Sequence, residues 1–167
     1  MALTREQFVA RYGGIYEHSP WVAEEAAADV ADSDDPGEIA AIMADCVDNA
    51  STERQLALIR AHPDLAGKAQ IAGELTADST DEQASAGLDR CSAEEYAQFQ
   101  SLNDRYRAKF GFPFVMAVRG CSRAEILAAF AARLENAAAL EFETALAEIH
   151  KIARLRLQAM QATGAKR

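Results

Sequence analysis

Alanine fills 37 of the 167 positions, and helix-start signals recur along the whole chain. Alanine is the strongest helix former because it loses no side-chain entropy and buries no polar group. The alternation of apolar and polar residues that marks half-buried strands is almost absent. Thr4 with Gln7, Ser79 with Glu82, Ser92 with Glu95 and Ser122 with Glu125 each have the spacing of a capping box, in which two side chains satisfy orphan amides of the first turn. Ser19-Pro20 and Asp35-Pro36 place a cap before a proline whose fixed φ suits the first helical position, and Glu38 completes a box in the second case. These signals predict helices at roughly 5–12, 20–31, 37–49, 52–61, 80–89, 93–109, 123–137 and 140–161. The expected fold is all-α, a single compact domain of about eight helices with a short polar tail from about Thr163.

Half of the residues are hydrophobic, enough for a core without metal or disulfide staples. Lys and Arg total 17 against 26 Asp and Glu, a formal charge of −9, and this acidic field argues against nucleic acid as a partner. The longest purely apolar run, Ile126 to Ala132, falls far short of the ~20 residues that cross a bilayer. Arg5 and Glu6 precede any apolar stretch, unlike a signal peptide, so a cytoplasmic location is expected. Cys46, Cys91 and Cys121 lack CxxC or Cys-His spacing, so no metal site or disulfide framework is expected and all three are read as small buried hydrophobes.

Of the three histidines, His18 and His150 read as solvated or capping residues. His62 precedes Pro63 and is pushed out of the α region, so it falls where the fourth helix stops. It is either a C-terminal cap or a general acid/base working near neutral pH. Glu82 reads first as the partner of Ser79 in a capping box, a place where a ligand's polar groups can also converge. On the last helix, Phe142, Leu146, Ile149, Ala153, Arg156 and Met160 share one stripe, while Arg154 points away. Arg156 is therefore an arginine on a core face, and Arg133 is another. Each needs a carboxylate such as Glu141 or Glu143, or an anionic ligand. The stretch Gly111 to Val118 is apolar but broken by glycine and proline, a buried extended connector whose backbone groups need partners outside any helix.

Five segments, Leu58-Ile-Arg-Ala-His-Pro-Asp-Leu-Ala-Gly67, Ser79-Thr-Asp-Glu-Gln83 with Ala86-Gly-Leu88, Leu102-Asn-Asp-Arg-Tyr106, Lys109-Phe-Gly-Phe-Pro-Phe-Val115 and Lys151-Ile-Ala-Arg-Leu-Arg-Leu157, stand in one order and spacing. In that order and spacing the chain resembles the OHCU decarboxylases, which act on 2-oxo-4-hydroxy-4-carboxy-5-ureidoimidazoline and form (S)-allantoin at the end of urate degradation. The resemblance runs from Phe8 to Leu157.

The resemblance implies a homodimer of helical subunits that uses no metal or organic cofactor. It implies His62 as catalytic acid/base with Glu82 beside it. Pro63, Ser79, Gln83 and the backbone of Phe114, Val115, Met116, Ala117 and Val118 would line the substrate, and Arg156 would hold it. Two other readings stay open at this point: a non-catalytic helical interaction module, and a decarboxylase of another ureido acid on the same scaffold.

Overall fold

The computed structural model describes residues 3–30, 33–67 and 72–164. Among them there are α-helices, one 3₁₀ turn and no strands, as an all-α reading requires. The helices are α1 (Arg5–Tyr12), α2 (Trp21–Ala26), α3 (Pro36–Asp48), α4 (Thr52–Arg60), α5 (Ala77–Ser85), α6 (Ala93–Phe110), α7 (Arg123–Arg133) and α8 (Ala138–Gly164), with the 3₁₀ turn at Leu88–Arg90. They fall into two compact units, Met1–Ala61 with Ile149–Arg167, and His62–Glu148.

Local chemistry explains most of the boundaries. Thr4/Gln7, Ser92/Glu95 and Ser122/Glu125 form full capping boxes, and Asp35 caps α3 by accepting from the Glu38 amide. Glu38 does not close a box, because the Asp35 amide donates instead to Ser33 Oγ at 3.2 Å. Ser19 is not the cap of α2; Pro20 holds that position with no side-chain bond, and Ser19 Oγ donates to the Glu17 carbonyl. That helix ends at Ala26 rather than near residue 31, despite the alanine run, and the chain turns so that Val30 reaches the core. Tertiary packing here overrides propensity.

In the first unit, α2 packs on α1 and α3 over Phe8, Tyr12, Val22, Ile39, Met43 and Val47. Here His150 departs from the solvated role read from sequence. Its Nδ1 meets the Tyr16 hydroxyl at 2.8 Å and its Nε2 meets Asp48 at 3.1 Å, tying α8 to α3 and to the turn after α1. Burial, with Asp48 nearby, pushes the Tyr16 phenol well above its ordinary pKa. His18 is exposed, as expected.

In the second unit, Tyr106 of α6 centres an aromatic cluster with Phe110, Phe112, Phe114 and Phe130, ring centroids 4.5–5.9 Å away. Such tilted and edge-on pairs add to the burial energy of the rings. The three cysteines are free and half-buried rather than buried. Burial raises the thiol pKa of Cys46 and Cys91, which keeps both poor nucleophiles. No helix among the described residues is long and apolar enough to cross a membrane.

Candidate functional site

The chain leaves α4 at Ala61, and His62, 7 % exposed, opens a short loop through Pro63 to Gly67. Pro63 ends the helix as its missing N–H and fixed φ require. The loop then makes a sharp bend in which Ala66 takes a φ of +51°. For an alanine this left-handed geometry costs about 1–2 kcal/mol, and it persists only where the surroundings impose it. Gly67 follows because a Cβ there would stand 2.8 Å from Asp64 Cβ.

Side chains from two helices impose the bend. From α5, Gln83 accepts the Ala66 amide on Oε1 at 3.0 Å and donates Nε2 to the Asp64 carbonyl at 3.2 Å. From α6, Gln100 donates to the Ala66 carbonyl at 2.7 Å and Asn103 to the Leu65 carbonyl at 3.0 Å. The Arg107 guanidinium meets Asp64 Oδ1 at 2.9 and 3.1 Å. The residues at 100, 103 and 107 follow helical spacing, so α6 offers one continuous donor face to the loop.

The helix that carries Glu82 begins one turn earlier than its sequence implies. Thr76, not Ser79, is the N-cap, with Thr76 Oγ1 accepting the Ser79 amide at 3.2 Å. Two hydroxyls three residues apart compete for the start, and the earlier one takes it; Thr80 Oγ1 then donates back to the Thr76 carbonyl. The Ser79/Glu82 capping box is thus overturned. Ser79 and Glu82 instead lie inside α5, where Ser79, Glu82, Gln83 and Ala86 share a face by their spacing. Ser79 and Gln83 are buried and Glu82 is half-buried. Gly87, at φ +76°, closes the helix early, and its carbonyl accepts from Arg123.

Gln83 therefore joins two candidate groups. Its amide fastens the loop two residues beyond His62, and it is itself the neighbour of Glu82.

The connector from Gly111 to Val118 is non-helical, with Phe112, Phe114, Val115 and Val118 each at most 4 % exposed. Phe114 stacks on Phe130 with centroids 3.9 Å apart, and Arg133 covers its other flank at 4.3 Å. Arg133 also donates to the Val115 carbonyl at 2.7 Å, and the Ala117 amide approaches Glu148 Oε1 at 3.4 Å. The carboxylate expected for Arg133 is present. Glu141, fully buried, accepts from Arg133 at 2.8 Å, from the Tyr106 hydroxyl at 2.6 Å and from Asn136 at 3.0 Å. Burial, followed by the hydrogen bond to Glu141, raises the Tyr106 phenol above its ordinary pKa. Asn103 and Tyr106 sit on adjacent turns of α6, so this one helix touches both the His62 loop and the connector.

Arg156 is 5 % exposed on α8, while Arg154 is exposed, as the helical stripe requires. Its carboxylate neighbour is not Glu141 or Glu143 but Glu17, 2 % exposed, at 3.6 Å; its Nη1 reaches the Gly14 and Ile15 carbonyls at 3.4 and 3.3 Å. The turn after α1 supplies all three oxygens, and periodicity within α8 could not reveal it. Arg156 belongs to the first unit, and His62, Glu82 and the connector to the second. Gln100, Asn103 and Arg107 have no role in the sequence analysis, although polar side chains interleaved with the buried Phe99 and Tyr106 on α6 are a readable signal of an internal polar contact.

A buried histidine before proline, a glutamate-bearing helix face and an extended apolar connector share one unit of this helical fold. The sequence profile described as OHCU decarboxylase matches residues 1–158. A 2-oxo-4-hydroxy-4-carboxy-5-ureidoimidazoline decarboxylase of Haloferax volcanii is 48% identical over 155 residues, which is 93% of this chain and 89% of the relative. A crystal structure of (S)-allantoin synthase superposes with a TM-score of 0.71 at 32% identity, covering 94% of this chain and 50% of that one. A crystal structure of OHCU decarboxylase in the presence of (S)-allantoin gives a TM-score of 0.67 at 26% identity, covering 84% of this chain and 89% of that one. The chain belongs to the OHCU decarboxylase family.

Proposed function

We propose that this carboxy-lyase converts 2-oxo-4-hydroxy-4-carboxy-5-ureidoimidazoline to (S)-allantoin, with His62 and Glu82 moving the protons and no cofactor taking part. The observation that carries the residue assignment is the Gln83 clamp, which fastens the loop opened by His62 to the helix face bearing Glu82.

The substrate carries a carboxylate on a carbon that also bears a hydroxyl and adjoins an imine carbon. When the C–C bond to the carboxylate breaks, carbon dioxide leaves, and the electron pair forms a new carbon–carbon double bond while the imine electrons pass to nitrogen, which takes a proton. The substrate is its own electron sink. The resulting enol then loses its hydroxyl proton as the carbonyl forms, and the neighbouring carbon gains a proton on one face. The protein's task is to orient the substrate, stabilise the developing charge and deliver that proton stereoselectively.

In this reading His62 takes the hydroxyl proton, and Glu82 orients the hydroxyl and shares in the transfer to carbon. Pro63, Ser79 and Gln83 line the substrate, together with the backbone of Phe114, Val115, Met116, Ala117 and Val118. Arg156 holds an anionic or ureido oxygen; a planar two-pronged donor suits that role and an ammonium does not. Arg156→Lys is expected to fold and to raise KM, and an unchanged KM removes it from the site.

The direct test of the reaction is circular dichroism on freshly generated substrate. The expected result is (S)-allantoin appearing faster than spontaneous decay supplies it. Chelation and dialysis leave the rate unchanged if no cofactor takes part. The same reading includes one functional domain and a cytoplasmic homodimer. Leu140, 49 % exposed on α8, is the kind of apolar side chain that a symmetric interface covers. Sedimentation showing only an 18.1 kDa species at micromolar concentration contradicts the dimer.

A further inference from the structure

We propose that Asn103 and Gln100 of α6 are positioning residues for His62: they set the orientation of its imidazole by holding the backbone of the loop it opens. The inference rests on the reading of His62 as the acid/base, but it concerns residues to which that reading gives no role.

The loop and α6 run in opposite directions, and successive turns of the helix hold successive residues of the loop. Gln100 donates to the Ala66 carbonyl at 2.7 Å, Asn103 to the Leu65 carbonyl at 3.0 Å, and Arg107 to the Asp64 carboxylate at 2.9 Å. Gln83 closes the opposite side through the Ala66 amide and the Asp64 carbonyl. Between this ladder and His62 stands only Pro63, whose ring fixes its own φ and restricts the residue before it. With little rotational freedom left in the backbone, a displacement of the loop is passed to the imidazole.

Two features separate this from ordinary loop fastening. Ala66 is kept at φ +51°, a geometry that relaxes if the ladder loosens. Asn103 is 2 % exposed, and its Oδ1 has no hydrogen-bond partner among the described residues. Burying an unsatisfied oxygen opposes stability, so the side chain is poorly explained by packing alone, and its one bond to the loop is what an apolar replacement forfeits.

The test compares wild type with Asn103→Leu and Gln100→Glu, changes close in size that remove the donor, and with Gln100→Lys, which restores one. The half-buried position of Gln100 keeps at least that pair foldable. The chain holds three histidines, so ¹³C-histidine labelling gives a countable set of imidazole signals, with His62 assigned by His62→Asn. The expected outcome is a shifted or broadened His62 signal in both donor-less variants, with His18 and His150 unmoved and, for Gln100→Glu, a melting temperature close to wild type. The kcat is expected to fall about 10-fold, within the range for a misplaced catalytic group, with KM held within about twofold. Gln100→Lys is expected to recover both the signal and most of the rate.

An unmoved His62 signal overturns the proposal whatever the rate does. So does a moved signal with unchanged kcat, or a rate loss that only follows the melting temperature. Failure of the wild type to form (S)-allantoin instead removes the functional reading, and the histidine spectra still decide the positioning claim.

Discussion

Two non-helical segments of the second unit are held by opposite means. The loop from Pro63 to Gly67 is gripped by amide and guanidinium side chains that bond its backbone and Asp64, and its bend is strained at Ala66. The connector from Gly111 to Val118 is held mainly by ring packing, with Arg133 contributing a bond to the Val115 carbonyl. Packing is non-directional and strong, whereas a hydrogen bond is modest in net energy but specific in geometry. The connector should therefore govern whether this unit stays folded, and the loop should govern where a reacting group points.

The sharpest way to break this contrast is Phe114→Ala. Removing a ring 1 % exposed between Phe130 and Arg133 should cost about 3–5 kcal/mol in denaturant unfolding. A loss below about 1 kcal/mol means that the connector is not held by packing. Gln83→Leu comes next. It leaves the Ala66 amide and the Asp64 carbonyl without that partner, and a loss of about 1–3 kcal/mol is expected, smaller than at Phe114. A larger loss than at Phe114 reverses the comparison. Ala66→Gly is the gentlest and has the opposite sign. Glycine relieves the φ of +51° and should stabilise by up to about 1 kcal/mol, as read by melting temperature, while loosening the loop enough to lower kcat. A lower melting temperature shows that the bend carries no strain.

The same contrast explains what the sequence could reveal. The helices were legible where a cap has one candidate, as at Ser92 and Ser122, and were misplaced where two compete, as at Thr76 and Ser79. Arg133 could be assigned a carboxylate because Glu141 lies eight residues away on the next helix. Arg156 could not, because Glu17 is 139 positions distant in the chain and periodicity within one helix says nothing about such a partner. His62 stood out through the proline after it. The ladder behind it did not, because Gln83, Gln100 and Asn103 bond the loop through its backbone, which leaves no residue-specific mark on the segment they hold.

The central claim is that this fold places His62 to carry out stereoselective decarboxylation. The most direct measurement is (S)-allantoin formation followed by circular dichroism for wild type and His62→Asn side by side, with melting temperature recorded for both. The expected result is a folded variant within about 1 kcal/mol of wild type, as asparagine suits the position after a helix end, whose rate is lower by about 10²–10⁴-fold. Turnover by His62→Asn at the wild-type rate, or a loss of activity that arises only from unfolding, contradicts it.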